Sequence, residues 1–101
     1  MNLVQLLLPV YDRDGERFPR EALDRVRHEL TERFGGATAY LRAPAAGLWK
    51  DGGEVEKDDV VMVEVMARHL DLEWWRLYRE ELERRFRQDE IVVRVIRCDT
   101  I

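Results

Sequence analysis

Lys57-Asp58-Asp59-Val60-Val61-Met62-Val63-Glu64-Val65-Met66-Ala67 is the stretch on which the fold turns. It is dominated by β-branched residues, with Val61, Val63, Val65 and Ala67 on one side of a pleat and Val60, Met62, Glu64 and Met66 on the other. A strand apolar on both faces belongs in the middle of a sheet, so the segment predicts a central strand.

Its flanks say what surrounds it. Upstream, Ala37–Arg42 alternates small apolar Ala37, Ala39 and Leu41 against Thr38, Tyr40 and Arg42, the period of an edge strand. Residues 43–56 between them hold Pro44, Gly47, Gly52 and Gly53, with Asp51-Gly52 favouring a tight turn, so the two strands read as a hairpin with a long loop. Downstream, Asp71 is placed to cap a helix whose apolar stripe is Trp75, Tyr78, Leu82 and Phe86, widened by Trp74 and Leu77. Arg84, Arg85 and Arg87 suit the negative end of that helix. Ile91–Cys98 alternates again and predicts a last strand.

The N-terminal third repeats the scheme. Asn2–Val10 is apolar on both faces except at Gln5, a second central strand. Asp12, Asp14 and Gly15 form a turn, and Pro19 opens a helix whose Leu23, Val26, Leu30 and Phe34 recur at spacings of three and four. Glu21/Arg25, Arg25/Glu29 and Glu29/Arg33 are spaced to pair on its wet side, and Gly35 is its left-handed stop.

The order strand, helix, strand, strand, helix, strand predicts an α+β, ferredoxin-like β-α-β-β-α-β sandwich. Its four-stranded antiparallel sheet has the order 4-1-3-2, with both helices on one face. The other face carries Leu3, Leu7, Met62, Met66, Val92 and Ile96 around a few polar groups, too apolar to stay in water. A homodimer paired through that face is therefore expected.

Composition narrows the function classes. A chain of 101 residues suits a single domain spanning 1–101, and 38% charged residues do not suit a membrane protein. Met1–Val10 lacks the basic lead of a signal peptide, so a cytoplasmic protein is expected. The formal net charge of -4 opposes general binding to a phosphate backbone, and no nucleic-acid partner is expected. Cys98 is the one cysteine, and neither His28 nor His69 has a clustered partner, so no metal centre and no cofactor are expected. The sequence has no G-x-S-x-G elbow, phosphate-binding loop or H-E-x-x-H.

The candidate site residues follow from the architecture. With two sheets face to face, Gln5, Tyr40, Arg42, Glu64 and Arg94 become half-buried polar groups on an apolar floor, as small-ligand pockets are lined. The competing reading of Glu64 and Arg94 is a structural ion pair at the interface, fixing its register. Trp49 either lids such a pocket or anchors the long loop. His69, at a strand-to-helix junction, is a candidate general base or an ordinary junction residue. Val60–Met66 has none of the aromatics with which four-stranded RNA-binding domains stack bases.

Two resemblances add to this reading. Phe34-Gly35-Gly36-Ala37-Thr38, Gly47-Leu48-Trp49 and Phe86-Arg87-Gln88 resemble small uncharacterised bacterial proteins with an F-G-G-x-T, G-x-W and F-x-Q pattern, a family without an agreed activity. The architecture resembles the dimeric α+β barrel group, which implies fold only. Val10-Tyr11-Asp12 also resembles the end of the first strand in small ferredoxin-like nucleases associated with CRISPR arrays, where Asp12 and Asp14 would hold magnesium; a plain turn explains the same residues. The leading expectation is a homodimeric, non-enzymatic domain binding a small ligand or a protein partner. The alternatives are a cofactor-free barrel enzyme, with His69 or Glu64 as base and Tyr40 and Arg94 steering an anionic substrate, and a magnesium nuclease.

Overall fold

The computed structural model describes residues 1–36, 38–42 and 60–101, the middle stretch through its backbone. Six elements follow one another: β1 (Asn2–Pro9), α1 (Arg20–Phe34), β2 (Thr38–Arg42), β3 (Val60–Ala67), α2 (Leu72–Arg85) and β4 (Val92–Arg97). All strand pairings are antiparallel, and the strands lie side by side as β2-β3-β1-β4. The apolar β1 and β3 take the middle of the sheet, where both edges of the backbone are paired.

Period-two alternation sends Val4, Leu6 and Leu8 of β1 and Val61, Val63 and Val65 of β3 into one core with Val26 and Leu30 of α1 and Trp75, Tyr78 and Leu82 of α2. Both helices therefore cover the same face of the sheet. Gly35 ends α1 at φ 84, the left-handed conformation a side chain resists, and its N–H donates to the Thr31 carbonyl. Pro19 is the cap that precedes α1 rather than part of its first turn. Asp71 caps α2 by accepting from the Trp74 N–H at 3.1 Å.

Where the helices meet, aromatic and charged groups fasten them. Phe34 stacks on Trp75 with ring centroids 5.2 Å apart, Trp74 stacks on Tyr78 at 4.9 Å, and the Arg33 guanidinium lies 4.2 Å over Trp74. One turn further along, Arg85 of α2 grips both oxygens of Glu29 on α1, at 2.7 and 2.8 Å, and the Tyr78 hydroxyl donates to Glu29 at 2.9 Å. Of the three ion pairs expected along α1, the structure forms Arg25–Glu29 at 3.5 Å, while Glu29 turns chiefly toward α2.

Leu77 does not widen the buried stripe of α2. It is 56% exposed, because it lies two residues on from Trp75 and so about 200° around the helix from it. Among the described residues, no helix is long and apolar enough to cross a membrane.

Candidate functional site

The sheet face turned away from the helices is organised by register. Gln5 of β1 stands opposite Glu64 of β3 on one side and Arg94 of β4 on the other, and Glu64 in turn stands opposite Thr38 of β2. Directly opposed residues share a face, so these positions form one row across the sheet. The rows on either side are apolar: Leu3 with Met66 and Ile96, and Leu7 with Met62 and Val92.

Within the polar row the side chains are joined. The Gln5 amide nitrogen donates to Glu64 Oε2 at 2.6 Å, and Arg94 Nε donates to the Gln5 amide oxygen at 2.7 Å. Only one orientation of the amide serves both neighbours, with nitrogen toward the carboxylate and oxygen toward the guanidinium. Glu64 and Arg94 thus form no direct ion pair. Two strand spacings, about 9.5 Å, separate their backbones, and Gln5 fills the gap. Within one copy the row is a relay with a negative end, a neutral middle and a positive end.

Burial is graded along it. Gln5 is 7% exposed, Glu64 half-buried and Arg94 exposed. The face is not uniformly bare either: Met62 is buried, whereas Met66, Val92 and Ile96 are 41–44% exposed. The apolar surface left open lies mainly along β4 and the far end of β3. A charged row between apolar rows offers a small molecule a hydrogen-bond acceptor at one end, a donor at the other and a greasy surround.

The remaining candidates are distributed differently. Tyr40 and Arg42 belong to β2, whose backbone sets them opposite Met62 and Val60. Trp49 lies outside the described residues. His69 is exposed on the bend after β3, beside a shallow depression lined by Arg33, Phe34 and Met66, and does not join the polar row. Asp12 is committed locally: its Oδ1 accepts from the N–H groups of Asp14 and Glu16 at 2.8 and 2.9 Å, and Gly15 turns the chain at φ 80. That is the plain-turn role. Among the described residues no three His, Cys, Asp or Glu side chains are grouped to hold a metal ion. What sequence reasoning missed was the middle of the relay. Gln5 stood out as a polar residue in an apolar strand, but its place between Glu64 and Arg94 depends on the pairing of three strands.

No known protein family and no curated protein matches the sequence. Among solved structures, the chain is similar to phage SAM lyase in complex with S-methyl-5'-thioadenosine, with a TM-score of 0.63 and 14% identity over 94% of this chain and 79% of that one. Phage SAM lyase in the apo state gives a TM-score of 0.61 at 14% identity, over 94% of this chain and 78% of that one. At this identity the likeness is one of fold.

Proposed function

We propose that this chain is a small-ligand-binding domain of ferredoxin-like fold, paired with a second copy through the open sheet face. Its ligand is a zwitterion with an apolar body, seated over the Glu64–Gln5–Arg94 row. The observation that carries the reading is the relay itself, whose hydrogen-bonded amide holds a carboxylate and a guanidinium apart instead of letting them neutralise each other. A cationic centre is attracted to the Glu64 end and a carboxylate to the Arg94 end, while the flanking, half-buried Leu3 and Leu7 accept the apolar body.

The open face also favours a two-fold pair, which covers the half-exposed Met66, Val92 and Ile96. The ligand then lies between copies, in a cytoplasmic protein.

The fold neighbours suggest which zwitterion to try. S-adenosylmethionine combines a sulfonium, an amino-acid carboxylate and a flat adenosyl body, and S-methyl-5'-thioadenosine is the ligand that one of the neighbours' structures names. Those neighbours also support a second reading, in which the domain is a lyase. Sulfur keeps the electron pair of the broken Cγ–S bond and leaves as S-methyl-5'-thioadenosine, the electron pair of the neighbouring Cβ–H bond becomes the carbon–carbon double bond of a vinyl amino acid, and the Cβ proton goes to Glu64. His69 stands apart from the row, so Glu64 is the base in that reading.

Calorimetric titration with S-adenosylmethionine, followed by chromatography of the mixture, separates the cases. Saturable binding with the compound recovered intact supports the binding domain. Accumulation of S-methyl-5'-thioadenosine supports the lyase. Absence of binding contradicts the choice of ligand, and a monomer at micromolar concentration in sedimentation contradicts the pairing.

A further inference from the structure

On the helix side of the sheet, away from the Glu64–Gln5–Arg94 row, an open cavity of about 670 Å³ lies at the start of α1. We propose that it is a second binding site, for a small phosphomonoester carrying an aromatic or other apolar group.

The size falls within the range of small-molecule sites, about 300–1,000 Å³. Three arginines line it: Arg17 from the turn before α1, and Arg20 and Arg27 from α1 itself. Arg20, Asp24 and Arg27 are spaced four and three apart, which puts them on one side of the helix. Among the described residues Asp24 is the one carboxylate in the lining, and its contact with Arg27 is loose, at 3.7 Å between half-exposed groups. Among the described residues, Arg17 and Arg20 pair with no carboxylate. Among the described lining residues, three positive charges against one negative leave an excess of two, in a chain whose formal net charge is -4.

That excess selects the ligand's charge. A phosphomonoester carries about -1.5 to -2 at neutral pH and presents three acceptor oxygens to planar guanidinium forks. A single carboxylate would leave one positive charge unmatched. The floor selects the rest. Phe18, fixed edge-on against Phe86 at a centroid distance of 5.1 Å, lines the cavity with Leu23 and Val61 and gives an apolar group a rigid surface. The first-turn N–H groups of α1 add a positive dipole end, since Pro19 supplies no side-chain cap. The site itself rests on the cavity and its arginines.

Titration of the full chain with phenyl phosphate, benzoate and inorganic phosphate tests charge and apolar contact separately. Phenyl phosphate is expected to bind saturably and about tenfold or more tighter than either of the others, weakening as pH falls below about 6, where the dianion is protonated. The Arg17→Gln/Arg20→Gln double variant is expected to lose about tenfold in affinity while melting as the parent does, because both residues are exposed. Arg94→Gln, on the other sheet face, should leave phenyl phosphate binding unchanged, so failure here is separable from failure of the ligand seat on the relay. Equal binding of the three compounds, no saturation by about 10 mM, or unaltered affinity in the double variant overturns the proposal.

Discussion

Arg85 of α2 holds Glu29 of α1 through both ends of its guanidinium, at 2.7 and 2.8 Å, and it is the strongest polar link between the two helices. The same arginine donates from Nε to Glu81 at 2.8 Å, and its side chain is only 16% exposed. The arrangement holds the Glu29 carboxyl below its ordinary range, chiefly through the Arg85 hydrogen bond and against the opposing effect of burial. Glu81 is pushed down to about 2 by its hydrogen bonds to Arg85 and Arg84. Burial, and then the bond to Glu29, push the Tyr78 hydroxyl up, so it remains a donor throughout the working range.

Arg85→Ala should therefore destabilise the fold by about 1–3 kcal/mol at neutral pH, since it strands a partly buried carboxylate and the Tyr78 hydroxyl's acceptor loses its anchor. Urea unfolding of the variant and the parent gives the difference directly.

The pH dependence has a definite sign. A carboxyl with a lowered folded pKa contributes stability that is complete above its unfolded value, about 4.3, and is lost as pH falls through the folded value. Stability of the parent should fall on acidification below about pH 4.5, and Glu29→Gln should flatten that part of the profile. An unchanged acid limb in Glu29→Gln would remove Glu29 from the account.

Two leucines of α2 should behave oppositely. Leu82 is fully buried in the core, so Leu82→Ala should cost about 2–5 kcal/mol, whereas Leu77→Ala, at an exposed position, should stay within about 0.5 kcal/mol. Melting temperatures of the pair are enough to check this.

Arg87 follows α2 at φ 51, where glycine is usual, and the Gln88 N–H donates back to the Glu83 carbonyl at 2.9 Å to close the helix end. Arg87→Gly should stabilise by about 0.5–1 kcal/mol, the relief of the left-handed strain less the entropy a glycine adds to the unfolded chain. The Arg87–Asp12 contact at 3.5 Å is solvated on the arginine side and subtracts little from that gain. Equilibrium unfolding that shows a loss instead would make that contact the larger effect.

The fold was legible wherever burial followed a simple period. Val61, Val63 and Val65 alternate into the core as their spacing predicts, and Asp71 and Gly35 mark helix ends at the positions their chemistry suggests. Leu77 misled because its neighbours Trp74 and Tyr78 extend the stripe on one side only, and hydrophobicity alone does not carry that asymmetry. The wiring of the polar row was not legible. Gln5, Glu64 and Arg94 could each be picked out as polar residues in apolar strands. Their linkage comes from the register of β3 and β4 against β1, which loop composition does not specify. Arg85 was likewise read as a helix-end charge, because its partner Glu29 is 56 residues away in sequence.

The relay can be questioned most directly through Gln5, whose side-chain amide sits between the two charges. In a nitrogen-labelled sample titrated with S-adenosylmethionine, the Gln5 side-chain amide resonance should shift saturably, and Arg94→Gln should weaken that titration about tenfold or more. A Gln5 resonance that stays fixed while the ligand saturates elsewhere, or an Arg94→Gln titration equal to the parent's, would contradict a ligand seat on this row.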